Sequence, residues 1–218
     1  MTFEDAFAEI PIIAILRGIT PTEVEPVCGA LHQAGVRIVE VPMNSIQAPA
    51  SIARLSASFK DRMAVGGGTV RTAAEVAAVA EAGGQIAVAP DTQPDIIREA
   101  IKRGLIPIPG FASATEAFTA IDAGATYLKL FPASTYGPGH ITALGAVLPA
   151  KVQVVAVGGI GPEDMPLMWT AGARGFGLGS DFYVPGRRAP EVYLKAKAAV
   201  EAFRRLPERT PLGATKRW

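Results

Sequence analysis

Apolar residues fall along this chain in short runs, many of them β-branched, each ending in Gly, Pro, Ser, Thr or Met. Eight such runs stand out: Ile12–Gly18, Ile38–Met43, Ala64–Thr69, Gln85–Pro90, Ile106–Gly110, Tyr127–Pro132, Val152–Gly159 and Gly175–Ser180. Continuous apolar runs framed by turn residues read as strands buried on both faces. Amphipathic stretches of helical length separate them, among them Thr22–Ala34, Thr72–Ala82 and Ser113–Ala123. Three open on cap-like residues: Thr20-Pro21, Thr72 with Glu75, and Ser113 with Glu116. Strand starts recur every 21 to 26 residues. Eight alternations of strand and helix predict an α/β fold, a (β/α)8 TIM barrel with parallel strands. The expected domain spans residues 1–206, a single barrel with a short N-terminal helix, followed by a tail over 207–218.

A repeat lies inside this repeat. Ala34-Gly35, Ala82-Gly83, Ala123-Gly124 and Ala171-Gly172 precede strands two, four, six and eight. Glycine suits the left-handed position that ends a helix, which accounts for these four without chemistry. Five residues beyond each glycine stand Glu40, Val88, Lys129 and Gly177. Side chains of alternate barrel strands share an interior layer. The count therefore predicts Glu40 and Lys129 entering one layer from opposite sides, with Val88 and Gly177 leaving the space between them open.

Both charges sit in apolar surroundings, Lys129 between Leu128 and Leu130, and Glu40 between Val39 and Val41. A buried ammonium must be paired or lose its proton, and loss makes the amine a nucleophile toward carbonyls. A structural ion pair is the other reading, although desolvation makes such a pair a poor stabiliser. A carboxylate of tuned pKa beside a nucleophilic amine suits proton transfer. Arg17 ends strand one, at the barrel face where active sites lie, and fits an anionic substrate group or a structural ion cluster.

Glycines cluster at the ends of strands seven and eight, in Val157-Gly158-Gly159 and Gly177-Leu178-Gly179-Ser180. Loops there commonly bind phosphate in this barrel, because glycine lets backbone N–H groups approach an oxyanion. Ser180 adds a hydroxyl donor. Gly66-Gly67-Gly68-Thr69 closes strand three in the same manner, predicting room at the mouth and a hydroxyl at Thr69 for a substrate carboxylate or hydroxyl.

Composition narrows the field further. Twenty-one Lys+Arg against 20 Asp+Glu give a formal charge of +1, which argues against nucleic acid as a partner. His32 and His140 lie over a hundred residues apart, and Cys28 is the one cysteine, so no Cys/His metal spacing exists. One cysteine suits a reducing compartment. The acidic start Met1–Asp5 lacks a signal-peptide layout, and no apolar stretch reaches spanning length, so no membrane partner and a cytoplasmic location are expected.

The segments IIAILRG, VEVPMNS, GGGTV, PGFASATEAF, LKLFPAS, AVGGI and GLGSD, in this order, resemble the 2-keto-3-deoxy-6-phosphogluconate/6-phosphogalactonate aldolase family from about Ile12 to Gly186. Val-Pro-Met-Asn after Glu40, and Val157 before the paired glycines, resemble the phosphogalactonate branch more than the phosphogluconate one. The resemblance implies a Schiff-base aldolase acting on a phosphorylated keto acid, without cofactor or metal, as a homotrimer. It implies Lys129 as the Schiff-base residue, Glu40 as proton shuttle, and Arg17 and Thr69 orienting substrate. It further implies Val157 facing the discriminating hydroxyl, Gly158 in the substrate site, and Gly159, Gly179 and Ser180 at the 6-phosphate. Three departures are Gly67, Ala89-Pro90-Asp91, and Phe111, which is expected to narrow the pocket. A phosphosugar epimerase using Glu40 as base, and a non-catalytic phosphosugar-binding barrel, are the competing readings.

Overall fold

The computed structural model describes residues 1–208; of the expected tail, 209–218 lie outside the described residues. Strands β1 (Ile12–Ile15), β2 (Ile38–Pro42), β3 (Ala64–Gly68), β4 (Ile86–Val88), β5 (Ile106–Ile108), β6 (Gly110–Phe111), β7 (Tyr127–Leu130), β8 (Gln153–Val157) and β9 (Gly175–Leu178) pair in parallel, in the order β5-β4-β3-β2-β1-β9-β8-β7-β6. They form the expected TIM barrel.

The ninth strand arises because the predicted fifth run is broken in two. Pro109 has no N–H and interrupts the strand between β5 and β6. The first half pairs with β4 and the second with β7. Backbone bonds from Gly110 N to Asp91 O at 3.2 Å and from Lys129 N to Pro109 O at 2.8 Å carry the wall across the break.

Strand periodicity sorts the side chains into two cores. Ile13, Ile38, Ala64, Ile86, Val88, Ile108, Val155 and Val157 point inward, while Ile12, Ala14, Val39, Val65, Leu128, Leu130 and Phe176 join the layer beneath the helices. The short helix α1 (Phe3–Glu9), held at its start by Thr2 accepting from the Asp5 amide, stoppers the N-terminal mouth. Phe3 and Phe7 pack edge-to-face with Tyr127 there, with ring centroids 4.9 and 5.0 Å from the tyrosine. Burying two such rings removes enough apolar surface to contribute roughly 1.5–3 kcal/mol each.

The helices begin largely as the caps predict. Thr72 and Ser113 form complete capping boxes with Glu75 and Glu116, at the starts of α4 (Ala73–Glu81) and α6 (Ala114–Asp122). Thr20-Pro21 does not cap α2 (Val24–Ala34), whose N-cap is Glu23. Thr20 instead donates its amide and hydroxyl to the Glu23 carboxylate, so the turn 20–23 precedes the helix. The repeated glycines all have positive φ: Gly35 and Gly172 are left-handed C-caps, and Gly83 and Gly124 stand one residue past theirs.

The predicted strands run too long at their C-terminal ends. Leu16–Gly18, Phe131–Pro132, Gly158–Gly159 and Gly179–Ser180 leave the sheet and build the loops of the C-terminal mouth. Arg188 precedes the last helix, α9 (Ala189–Arg204), and Trp169 Nε1 donates to Pro207 O at 3.0 Å just beyond it. Among the described residues no helix is long and apolar enough to cross a membrane.

Candidate active site

At the C-terminal mouth a cleft of about 490 Å³ reaches down to the middle of the barrel, lined in part by Arg17, Glu40, Lys129 and Val157, and at its outer end by Gly158, Gly159, Gly179 and Ser180. The register count places its two charges correctly. Counting β5 and β6 as one strand, three strands separate β2 from β7 in either direction around the ring, so Glu40 and Lys129 face each other. Glu40 is 2% exposed and Lys129 5%.

Burial dominates the electrostatics of both groups, and in opposite senses. It raises the Glu40 carboxyl from 4.5 to about 7, against the pull of the Lys129 and Arg17 charges. It lowers the Lys129 amine below 10.5, opposed by Glu40, assisted by Arg17 and opposed again by Asp91. Each group is thus moved toward its neutral form. Among the described residues Glu40 makes no ion pair with Lys129, and its Oε2 is buried without a hydrogen-bond partner. Lys129 Nζ lies 4.5 Å from the centre of the Phe131 ring.

Arg17 and Thr69 are brought together at the β1–β3 side of the mouth. The guanidinium donates to Asn44 Oδ1 at 2.7 Å and to Thr69 Oγ1 at 3.3 Å. Thr69 holds φ +54, a left-handed conformation that is uncommon outside glycine and costs of order 1–3 kcal/mol. That geometry turns the hydroxyl toward Arg17. Thr69 itself does not line the 490 Å³ cleft.

Two glycine turns shape the outer end of the cleft. Gly158 and Gly159 hold φ +96 and +68, and a side chain on Gly158 would press into the Phe131 ring at 2.9–3.0 Å. Gly158 O accepts from Ser134 N at 3.1 Å. Gly179 O accepts from Phe182 N and Tyr183 N, both at 2.9 Å, curling the loop after β9 into a tight turn. Such turns present N–H groups to an anion.

Two expectations change. The glycines of β3 do not leave open room: the Glu40 carboxylate occupies the space above Gly68, Ile86 closes on Gly66, and Val79 closes on Gly67. Phe111 does not narrow the pocket, because its side chain packs in the outer layer beneath the helices. Phe131 is the aromatic of the cleft, two residues beyond Lys129 and so on the same face of the chain.

Sequence reasoning also missed Ile15, Ile160, Glu163, Asp164, Asp181 and Lys195, which line the cleft. Ile15, two residues before Arg17, was readable from strand alternation. Lys195 was not, since α9 carries it to the cleft from a distant position. Asp91 brings a second carboxylate near Lys129: its Oδ2 accepts from Arg71 at 3.0 and 3.2 Å and from Gln93 at 2.8 Å, while its Oδ1 is buried without a partner.

Known proteins are similar to this chain in sequence and in fold. Residues 3–187 match the family model described as KDPG and KHG aldolase. The chain is 45% identical over 196 residues to 2-dehydro-3-deoxy-6-phosphogalactonate aldolase of Escherichia coli K12, covering 90% of this chain and 96% of that one. It is 42% identical over 195 residues to a probable 2-dehydro-3-deoxy-6-phosphogalactonate aldolase of Rhizobium meliloti 1021, covering 89% and 92%. A solved structure described as native KDPGal superposes with a TM-score of 0.88 at 45% identity, covering 90% of this chain and 95% of that one. By model, sequence and structure alike, the chain belongs to the KDPG and KHG aldolase family.

Proposed function

We propose that this aldolase cleaves 2-dehydro-3-deoxy-6-phosphogalactonate to pyruvate and D-glyceraldehyde 3-phosphate through a Schiff base on Lys129. The observation that carries the reading is the opposed pair at the cleft floor: an amine pushed toward its nucleophilic neutral form, facing a carboxyl tuned to about pH 7. The two relatives named above are the reason for choosing the galactonate isomer.

Lys129 Nζ attacks the C2 carbonyl, forming a carbinolamine. Glu40 supplies the proton that lets water leave, giving a protonated imine. The Glu40 carboxylate then takes the proton of the C4 hydroxyl. The C3–C4 bond breaks, its electron pair passes into the imine as an enamine, and glyceraldehyde 3-phosphate departs. Glu40 returns its proton to C3, and water hydrolyses the imine to release pyruvate and free Lys129. Arg17 holds the substrate carboxylate, and Thr69 orients substrate through that guanidinium, which two hydrogen bonds to Asn44 and Thr69 fix in place. Val157 stands beside the C4 hydroxyl, and Gly158, Gly159, Gly179 and Ser180 cradle the 6-phosphate. The enzyme works as a homotrimer in the cytoplasm, where the buried Cys28 thiol stays reduced; light scattering tests the assembly.

The first test is borohydride reduction in the presence of pyruvate, followed by intact mass and peptide mapping. One reduced-pyruvate increment on Lys129 supports the mechanism. Folded protein that gains no adduct overturns it and favours a non-covalent phosphosugar barrel.

A further inference from the structure

The end of the cleft assigned to phosphate is lined by three carboxylates. Glu163, Asp164 and Asp181 stand there with Gly159, Gly179 and Ser180. A phosphate monoester brings nearly two negative charges, and backbone N–H groups answer with partial charges alone. Asp164 is partly accounted for, since its Oδ2 accepts from Gly161 N at 2.8 Å. Glu163 places its carboxylate over Gly161, where a side chain on that glycine would meet it at 2.8–3.0 Å. Against these carboxylates, a cation at this end adds the full positive charge that backbone N–H groups do not supply.

Three cationic side chains line the cleft: Arg17, Lys129 and Lys195. Arg17 is held on the β1–β3 side by Asn44 and Thr69. Lys129 stands at the barrel floor over Phe131 and is the amine that reacts. Arg187, close in sequence to the β9 loop, does not line the cleft; its Nη1 donates to Ser180 O at 3.0 Å and to Asp181 O at 2.7 Å, clamping the loop from behind. Lys195 remains. It sits in the second turn of α9 with its side chain 43% exposed, and its Nζ lies 3.5 Å from Asp181 Oδ1. An exposed pair at that separation contributes little to stability, so the lysine is readily surrendered to a stronger anion.

We propose that Lys195 is the residue that selects the phosphorylated substrate: its ammonium, resting against Asp181 in the free enzyme, is taken over by the 6-phosphate on binding. The inference rests on the aldolase reading for the identity of the substrate, but not for the anion site itself. Asp181 then has two effects on phosphate, both unfavourable, as a competitor for Lys195 and as a like charge. Lys195 and Asp181 are therefore expected to act with opposite signs.

The test compares Lys195→Met, Lys195→Arg and Asp181→Asn with the wild type, on protein checked by thermal melting. Inorganic phosphate is titrated by calorimetry, which needs no turnover, and kcat/KM is measured on the phosphorylated substrate and its unphosphorylated counterpart. Lys195→Met is expected to weaken phosphate binding about tenfold and to lower the preference for the phosphorylated substrate about as much, through KM rather than kcat. Lys195→Arg restores most of both, and Asp181→Asn tightens phosphate binding severalfold. Unchanged phosphate affinity in Lys195→Met overturns the proposal. So does Asp181→Asn weakening phosphate as Lys195→Met does, which would make the pair a brace for the loop. Wild-type protein that binds phosphate but neither traps pyruvate nor cleaves the sugar refutes the aldolase mechanism alone, and the calorimetric arm still decides the role of Lys195.

Discussion

The Glu40 carboxylate occupies the volume that a side chain on Gly68 would need. The two residues are on adjacent strands, β2 and β3, and their contact sets where the carboxylate stands in the barrel. A glycine at this point supplies the space for the buried carboxylate.

Gly68→Ala is accordingly expected to displace Glu40 more than it disturbs the barrel. The new methyl meets both carboxylate oxygens, and overpacking of this kind costs about 1–3 kcal/mol. Positioned acid–base catalysis contributes roughly 10²–10⁴-fold, so kcat falls by about 10² or more while a cooperative melt persists. Steady-state kinetics beside thermal denaturation checks this; wild-type kcat in the variant would show that Glu40 acts from another position.

Glu40 also gives activity and stability a shared pH signature. The acid limb of kcat/KM is expected near pH 7, where the buried carboxyl ionises, and Glu40→Gln removes that limb as it lowers kcat by about 10²–10⁴-fold. For stability the sign follows from proton binding. The folded carboxyl titrates at about 7 and the unfolded one near 4.5, so between these values the folded state binds more protons. Its contribution is fully present below 4.5 and is lost as pH rises through 7. Chemical denaturation from pH 4.5 to 7.5 reads this slope as the difference between wild type and Glu40→Gln; identical slopes would contradict the burial of the charge.

Glu40 and Lys129 were legible because a strand alternates and a helix ends at a defined residue. Gly35 and Gly124 fix where β2 and β7 start, and five residues onward the chain must point inward, so an apolar run with one charge declares itself. Phe111 was misplaced because its pocket reading came from the resemblance alone; the alternation that turns Ile106 and Ile108 inward turns Phe111 outward. Phe131 obeys the alternation from Lys129, yet it stands where the strand has already turned into loop. Lys195 and Asp164 reach the cleft through helix and loop packing that no local period encodes. Short-range rules thus read the barrel floor and the glycine loops, whereas the charged side chains at the outer end of the cleft are brought in by tertiary contacts.

Lys129→Met separates a catalytic lysine from a structural one. Breaking a structural buried pair costs about 3–5 kcal/mol because an unpaired charge is left behind. Here Glu40 is not paired with Lys129 and has a pKa already near neutrality, so losing the ammonium lets it remain protonated to higher pH. The variant is expected to lose cleavage entirely and yet melt at or above the wild-type temperature at pH 6, with any deficit appearing only above pH 7. Thermal melts at pH 6 and 8 measure it; a large loss at pH 6 would restore the structural reading.

Val157 tests which sugar the cleft prefers. Its side chain is buried, lines the cleft and packs where a methyl on Gly177 would fall, so its position is fixed by the neighbouring strand. An apolar side chain there offers no hydrogen bond to the C4 hydroxyl, and an apolar wall tolerates either configuration with modest discrimination. Threonine is nearly the same shape and adds one hydroxyl, which must find a partner in a buried setting. Val157→Thr is therefore expected to improve relative kcat/KM for the isomer whose C4 hydroxyl reaches it, shifting the galactonate-to-gluconate ratio toward gluconate by about tenfold, with stability lowered by about 1–2 kcal/mol. Parallel assays on the two phosphorylated acids give the ratio. If it stays fixed while the variant remains folded, the C4 hydroxyl does not lie beside Val157, and the choice of isomer is made elsewhere in the cleft.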